Sequence, residues 1–291
     1  MSAGKKFVIK PFKPQAGMDS LGAERVWQDL SRAIGEIYKK NASTLSFEEL
    51  YRNAYNLVLH KHGNILYSGV TETIAQHLSD VALNVANSTS ENLLNALAKA
   101  WDDHRITLGM IRDILMYMDR TYVVHNKRVP IFALGLQIFR ATILYHDGVR
   151  ERLRNCLLNN VLAEREGEIV DRGLLKTILS MLVDLNVDGT KVYEDEFESH
   201  FIEATKNYYR QESLTFLSQN TCSDYIHKAE SRLAEEAARV TNYLCLCTEP
   251  ALKHAVETEF ITKQAKTLVD MENSGCAHML KDNKQVDLAN M

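Results

Sequence analysis

The feature that most constrains this chain is a hydrophobic rhythm of 3.6 residues that runs through it with few interruptions. Apolar residues recur at helical spacing along most of the sequence, and alternation of period two is almost absent. Only 4 prolines and 13 glycines punctuate 291 residues, so little forces the chain out of helix. The expected fold class is all-α. The periodicity predicts helices over 23–41, 47–62, 65–87, 91–105, 106–124 and 131–145. A second set follows over 149–165, 172–185, 192–218, 223–246 and 251–273. Links carrying "KHG", "NSTS", "KRVP", "HDG", "REGE", "NVDG" and "CTEP" are short, which favours antiparallel neighbours. The chain therefore reads as an arm over 1–19, two serial helical blocks over 20–147 and 148–273, and a polar tail over 274–291. Two such blocks in series suggest an elongated stack. The tail closes no helix pair, and the chain is expected to stop short of a natural boundary.

One helix carries more apolar surface than a core needs. In "LSFEELYRNAYNLVLHKHG", Ser46 and Glu49 form a capping box, Leu45 and Leu50 are spaced as a hydrophobic staple, and Gly63 supplies the stop. Leu50, Ala54, Leu57, Phe47 and Val58 make a stripe of ordinary width. Tyr51, Tyr55 and Leu59 widen it to an arc of roughly 200°, where ~100° or more suffices for a core-facing helix. Glu48 and Arg52 lie near that shoulder. Either two neighbours use the whole arc, or the Phe47, Tyr51 and Tyr55 shoulder awaits another protein, a role that suits tyrosine at a surface.

"ITLGMIRDILMYMDRTY" repeats the surplus. Its core stripe runs through Met110, Ile111, Ile114, Met118 and Tyr122, leaving Asp113, Met116, Tyr117 and Arg120 outside. Met, Tyr and Arg are enriched where proteins meet; the plainer alternative is an Asp113–Arg120 neighbourhood that solvates the helix. In "KKFVIKPFKPQ", Pro11 and Pro14 favour extended chain, yet Phe7, Val8, Ile9 and Phe12 are too apolar for an ordinary disordered tail. That arm either docks into a partner's groove or folds back on this chain.

Composition narrows the function classes. A net charge of −4 gives no basic footprint for nucleic acid. No apolar run spans a bilayer and no signal peptide is evident, so neither nucleic acid nor membrane is an expected partner. The 5 cysteines, odd in number and irregular in spacing, fit reduced thiols of the cytosol or nucleus. Cys245 and Cys247 sit at i and i+2, on nearly opposite sides of a helix. "DLNVDGTKVYED" places Asp184, Asn186, Asp188 and Gly189 like the first half of a calcium loop. The closing position is Asp195 rather than Glu, and Lys191 stands where an apolar residue packs, so a polar helix–helix turn is expected. His60 and His62 diverge on a helix and make no metal pair. No phosphate loop, zinc-protease motif or nucleophile elbow is present; no catalytic residue, metal or cofactor is assigned.

Several stretches taken together resemble the amino-terminal region of cullins: "LSFEELYRNAYNLVLHKHG", "MIRDILMYMDRTYV", "GLQIFRATIL", "VYEDEFESHF", "FLSQNTCSDYIHKAESRLAEEAARV" and "TLVDMENSGCAHMLK". The resemblance covers nearly the whole chain from about Ile9 onward. It implies a stack of five-helix cullin repeats, with two repeats present and at most the start of a third in the tail. It also implies a non-catalytic scaffold subunit of a multisubunit RING ubiquitin ligase, working in cytoplasm and nucleus. The nearest branch of the family uses BTB-domain substrate adaptors, of BTB–Kelch, BTB–MATH or similar type, and dimeric adaptors imply a 2:2 assembly. The RING subunit and NEDD8 engage a carboxy-terminal half that the resemblance places beyond this chain. Carried over by motif, the adaptor-binding residues are Leu45, Ser46, Phe47, Glu48, Tyr51 and Tyr55, then Tyr117 and Arg120, with Phe12 in the arm. The arm's "IKPFKP" brings more proline and lysine than the family pattern, which leaves its contacts open. The alternatives are a helical tethering or trafficking scaffold unconnected to ubiquitin, or a helical enzyme with an unrecognised site.

Overall fold

The structure, a computed structural model, describes residues 18–271 and 274–282. Phe12 and the rest of the arm through residue 17 lie outside the described residues, as does the tail from 283. Among the described residues every regular element is helical. The first six helices are α1 (Ser20–Tyr38), α2 (Phe47–Leu59), α3 (Gly63–Ala86), α4 (Leu93–Ile114), the short α5 (Met116–Met118) and α6 (Ile131–Phe139). They are followed by α7 (Arg150–Arg165), α8 (Arg172–Asp184), α9 (Ser199–Gln219), α10 (Cys222–Asn242) and α11 (Glu249–Val256). The short helices α12 (Ala265–Asp270) and α13 (Cys276–Lys281) come last.

Two expected boundaries move. The separate helices expected over 91–105 and 106–124 are one helix, α4, that runs through Arg105 and breaks at Leu115, whose φ and ψ are −96° and 10°. Counted as one helix, its buried stripe is Leu97, Trp101, His104, Leu108, Ile111 and Leu115. Met110, expected in the core, falls off that stripe and is 41% exposed. Cys245 and Cys247 are not helical neighbours either, because α10 ends at Asn242 and the Cys247 amide donates to Cys245 Sγ at 3.4 Å in the turn beyond.

Helix ends are set by lysines. Lys40, Lys61 and Lys127 have φ of 65°, 66° and 51°. Each begins a Schellman turn: the Lys61 amide donates to Val58 O at 3.1 Å and the His62 amide to Leu57 O at 2.8 Å. Gly63, expected to stop α2, instead opens α3, where an added Cβ would lie 2.4 Å from the Tyr122 ring. Glycine here serves close approach rather than termination.

By contacts the chain forms two compact units, and α3 and α4 each contribute to both. The first holds α1, α2, α5, the start of α3, the end of α4 and most of α6. Its core joins Leu30, Ile34 and Ile37 to Leu57, Leu66, Val70 and Ile111, all nearly inaccessible. The second holds the rest, and its core is partly ionic. Arg165 and Glu236, each with a side chain 3% exposed, pair at 2.9 Å. Arg239 bridges Glu236 and Glu164, both at 2.8 Å. Tyr209 also donates to Glu236, and Tyr243 donates to Glu164 at 2.7 Å. Desolvated charges of this kind persist only when paired and hydrogen-bonded.

Candidate functional site

The surplus face lies in the first unit. Ser46 caps α2, its Oγ accepting from the Glu49 amide at 3.4 Å, and Glu48 and Glu49 add negative charge to the first turn, where the helix dipole favours it. Leu50, Ala54 and Leu57 point inward and are buried. Because α2 packs on both α1 and α5, the wedged reading accounts for part of its wide apolar arc. It does not account for all of it. Phe47 is 54% and Leu59 47% exposed, while Tyr51 and Tyr55 are half-buried.

The rings form two contacting pairs, with Tyr51 and Tyr55 one helical turn apart on α2. Phe47 stacks on Tyr51 with centroids 6.2 Å apart, and Tyr55 meets Tyr117 at 4.5 Å. The break at Leu115 and the π-helical stretch Asp119–Val123 bracket Tyr117; such irregular turns re-aim side chains that a straight helix would point elsewhere. Asp119 fixes this segment by accepting from the Ile131 amide at 3.1 Å. Burial pushes the Asp119 carboxyl above its usual range, with that amide and Arg112 opposing the shift.

The structure thus brings Phe47, Tyr51, Tyr55 and Tyr117 together. Glu48 and Arg120 are exposed. Leu45 is half-buried and shares with Leu50 and Phe47 the wall of a cavity of about 160 Å³. Ile37, Ala42, Met110, Asp113 and Ile114 complete that wall. Asp113 is paired with Arg112 at 2.8 Å. Sequence reasoning missed Met110 because it counted α4 from a false start; counted through, the spacing of Ile106 and Met110 off the buried stripe was visible. Ile37 and Ala42 carried no signal, since an apolar residue lining a shallow cavity looks like any other.

The calcium-like loop is tied to the second unit's helical body by an arginine. One terminal nitrogen of Arg140 donates to Leu185 O and Val187 O, each at 3.3 Å, and to Thr190 Oγ1 at 2.6 Å. Asn186 Oδ1 accepts from the Tyr193 amide at 3.2 Å. A guanidinium thus braces the turn, and the Asn186 side chain, one of the positions a calcium loop would use, is engaged by a backbone amide instead. Among the described residues no cluster of three or more His, Cys, Asp or Glu is placed to hold a metal, and no helix is long and apolar enough to cross a membrane.

Comparison with known proteins puts this geometry in a family. The profile of the cullin alpha solenoid domain matches residues 27–291. Cullin-3B of Arabidopsis thaliana is 44% identical over 293 aligned residues, covering 100% of this chain and 40% of the relative. Cullin-3 of Dictyostelium discoideum is 45% identical, covering 92% of this chain and 35% of the relative. Cullin-3 of Caenorhabditis elegans is 39% identical, covering 98% and 37% respectively. The chain therefore spans two fifths or less of the length of these relatives. A helical chain matched from Trp27 to its last residue by that profile belongs to the cullin family.

Proposed function

We propose that this chain is the adaptor-docking scaffold of a cullin-3-type ubiquitin ligase, and that BTB-domain adaptors seat on the aromatic strip of α2 and α5. One observation carries the reading: Phe47 with Tyr51, and Tyr55 with Tyr117, form two ring pairs above a buried stripe of α2 and are left partly bare. Rings held by their own core stripe lose little freedom on binding, which is what makes an anchor effective. Glu48 and Arg120 flank the strip as orienting charges, acting more on association rate than on final affinity. The arm with Phe12 adds a second contact. Repeats over 20–147 and 148–273 give the scaffold its stiffness, and the chain itself performs no chemistry. It holds a bound substrate near the ubiquitin-donating machinery, a proximity effect.

Calorimetry with a purified BTB–Kelch protein tests this. Tyr55→Ala is expected to weaken binding by about 30-fold, the ~2 kcal/mol of an interface hot spot, while far-ultraviolet dichroism stays native. Unchanged affinity for Phe47→Ala, Tyr55→Ala and Tyr117→Ala alike removes the strip from the mechanism.

A further inference from the structure

Cys245 and Cys247 would diverge on a helix, but α10 ends at Asn242 and the pair enters the 3-10 turn Leu246–Thr248. There the Cys247 amide donates to Cys245 Sγ at 3.4 Å, and the two thiols are hydrogen-bonded to each other. The turn is fastened to the fold. The Cys245 amide donates to Tyr193 Oη at 3.3 Å, the Thr248 amide donates to the Cys245 carbonyl at 3.0 Å, and Tyr193 Oη lies 2.9 Å from Thr248 Oγ1. Tyr193 itself is buried. The two sulfurs therefore meet on a fixed frame.

Their surroundings differ. Burial and then the hydrogen bond to Cys245 push the Cys247 thiol up to about 11, with Thr248 opposing. Cys247 thus keeps its proton at neutral pH, and Cys245 supplies the attacking sulfur. Cys245 also helps to line a groove of about 240 Å³, with Lys176, Ser180, Val183 and Asp184 on its wall. Cys247 is exposed, whereas Cys222 is fully buried and Cys156 donates to Ser90 O at 3.6 Å.

We propose that Cys245 and Cys247 form a thiol–disulfide exchange site for a low-molecular-weight disulfide that carries both ammonium and carboxylate groups, as glutathione disulfide does. Lys176 and Asp184 offer such a molecule both charges. Cys245, as thiolate, attacks one sulfur of the disulfide; its S–S bond breaks, and one half leaves as a thiolate that takes up the proton Cys245 released. The mixed disulfide ends the hydrogen bond that held the Cys247 proton, so the first step readies the second. Cys247 then loses its proton and attacks Cys245 Sγ, and the other half leaves and is protonated. Two protein thiols become one disulfide, and the substrate is reduced to two thiols.

The test is incubation of the folded, reduced chain with glutathione disulfide at neutral pH, followed by acid quench, trypsin and mass spectrometry. Both cysteines fall in the peptide 240–253. In the wild type that peptide is expected to lose two hydrogens, at least about tenfold faster than Cys156 takes up glutathione, since burial pushes the Cys156 thiol up as well. Cys247→Ser should stop at the mixed disulfide and keep one glutathione on Cys245. Cys245→Ser should leave the peptide unmodified over the same interval, with native far-ultraviolet dichroism in both variants. Three results overturn the proposal. They are a wild-type peptide still reduced when Cys156 is modified, a wild-type peptide that accumulates bound glutathione without closing, and a Cys245→Ser chain that reacts as fast at Cys247 as the wild type does at Cys245.

Discussion

Phe47 and Tyr55 lie two turns apart on one helix but relate differently to the fold beneath them. Phe47 is 54% exposed and, among the described residues, stacks on Tyr51, so its removal takes little from the folded chain. Tyr55 is half-buried against Tyr117, and an aromatic pair contributes ~0.5–1.5 kcal/mol beyond area alone. Phe47→Ala should therefore change unfolding free energy by no more than about 0.5 kcal/mol. Tyr55→Ala should cost about 1–2 kcal/mol. Urea denaturation of both variants checks this. A Phe47→Ala variant as destabilised as Tyr55→Ala would place Phe47 in the core and remove its claim to be an anchor.

At the scale of the element, the backbone conformation at the ends of helices is the informative feature. Lys61 holds φ of 66° at the position after α2, where a side chain crowds its own backbone and glycine does not. Lys61→Gly is expected to raise stability by about 1 kcal/mol, and Lys61→Ala to give no such gain. Thermal unfolding distinguishes them; equal effects of the two would show that side-chain loss, not backbone strain, is being measured. This same position shows where the sequence was legible and where it was not. The inward stripe of α2 was plain from spacing, because burial of Leu50, Ala54 and Leu57 repeats with the helix. The stop was assigned to Gly63 because glycine is the usual left-handed residue, yet Gly63 was needed against Tyr122, a contact no local pattern encodes. The break at Leu115 and the π-helical stretches at Arg140–Leu144, Glu194–Glu198 and Glu257–Thr262 were likewise invisible, since one added residue per turn barely disturbs a 3.6-residue rhythm. No local pattern marks Arg165 of α7 for burial, because its partner Glu236 comes from α10, 71 positions on. The aromatic strip was readable because its excess lay within single helices.

For the whole molecule, the two units rest on groups that titrate in different ranges, and acid should weaken them in sequence. In the first unit His104 is 3% exposed, and burial lowers its pKa from 6.5 to about 4, with the Gly135 carbonyl opposing. Between those values the unfolded chain takes up a proton that the folded chain refuses, so stability falls as pH drops through this window and levels off below it. The full loss is up to about 3 kcal/mol. In the second unit burial would raise the carboxyls of Glu164 and Glu196, but Tyr243, Arg172 and Arg239 at Glu164, and Arg150 and Arg154 at Glu196, outweigh it and hold both below the ordinary 4.5. Their contribution is intact above that value and is lost as pH falls beneath it. Urea midpoints read from the fluorescence of Trp27 and Trp101 should thus decline in two stages. His104→Gln, which keeps a donor for Gly135, should flatten only the upper stage. Glu196→Gln, which leaves Arg150 and Arg154 without their carboxylate, should lower stability at neutral pH and flatten part of the lower stage. An upper stage that survives in His104→Gln would mean that another group carries it, and that burial of this imidazole is not what limits the first unit in mild acid.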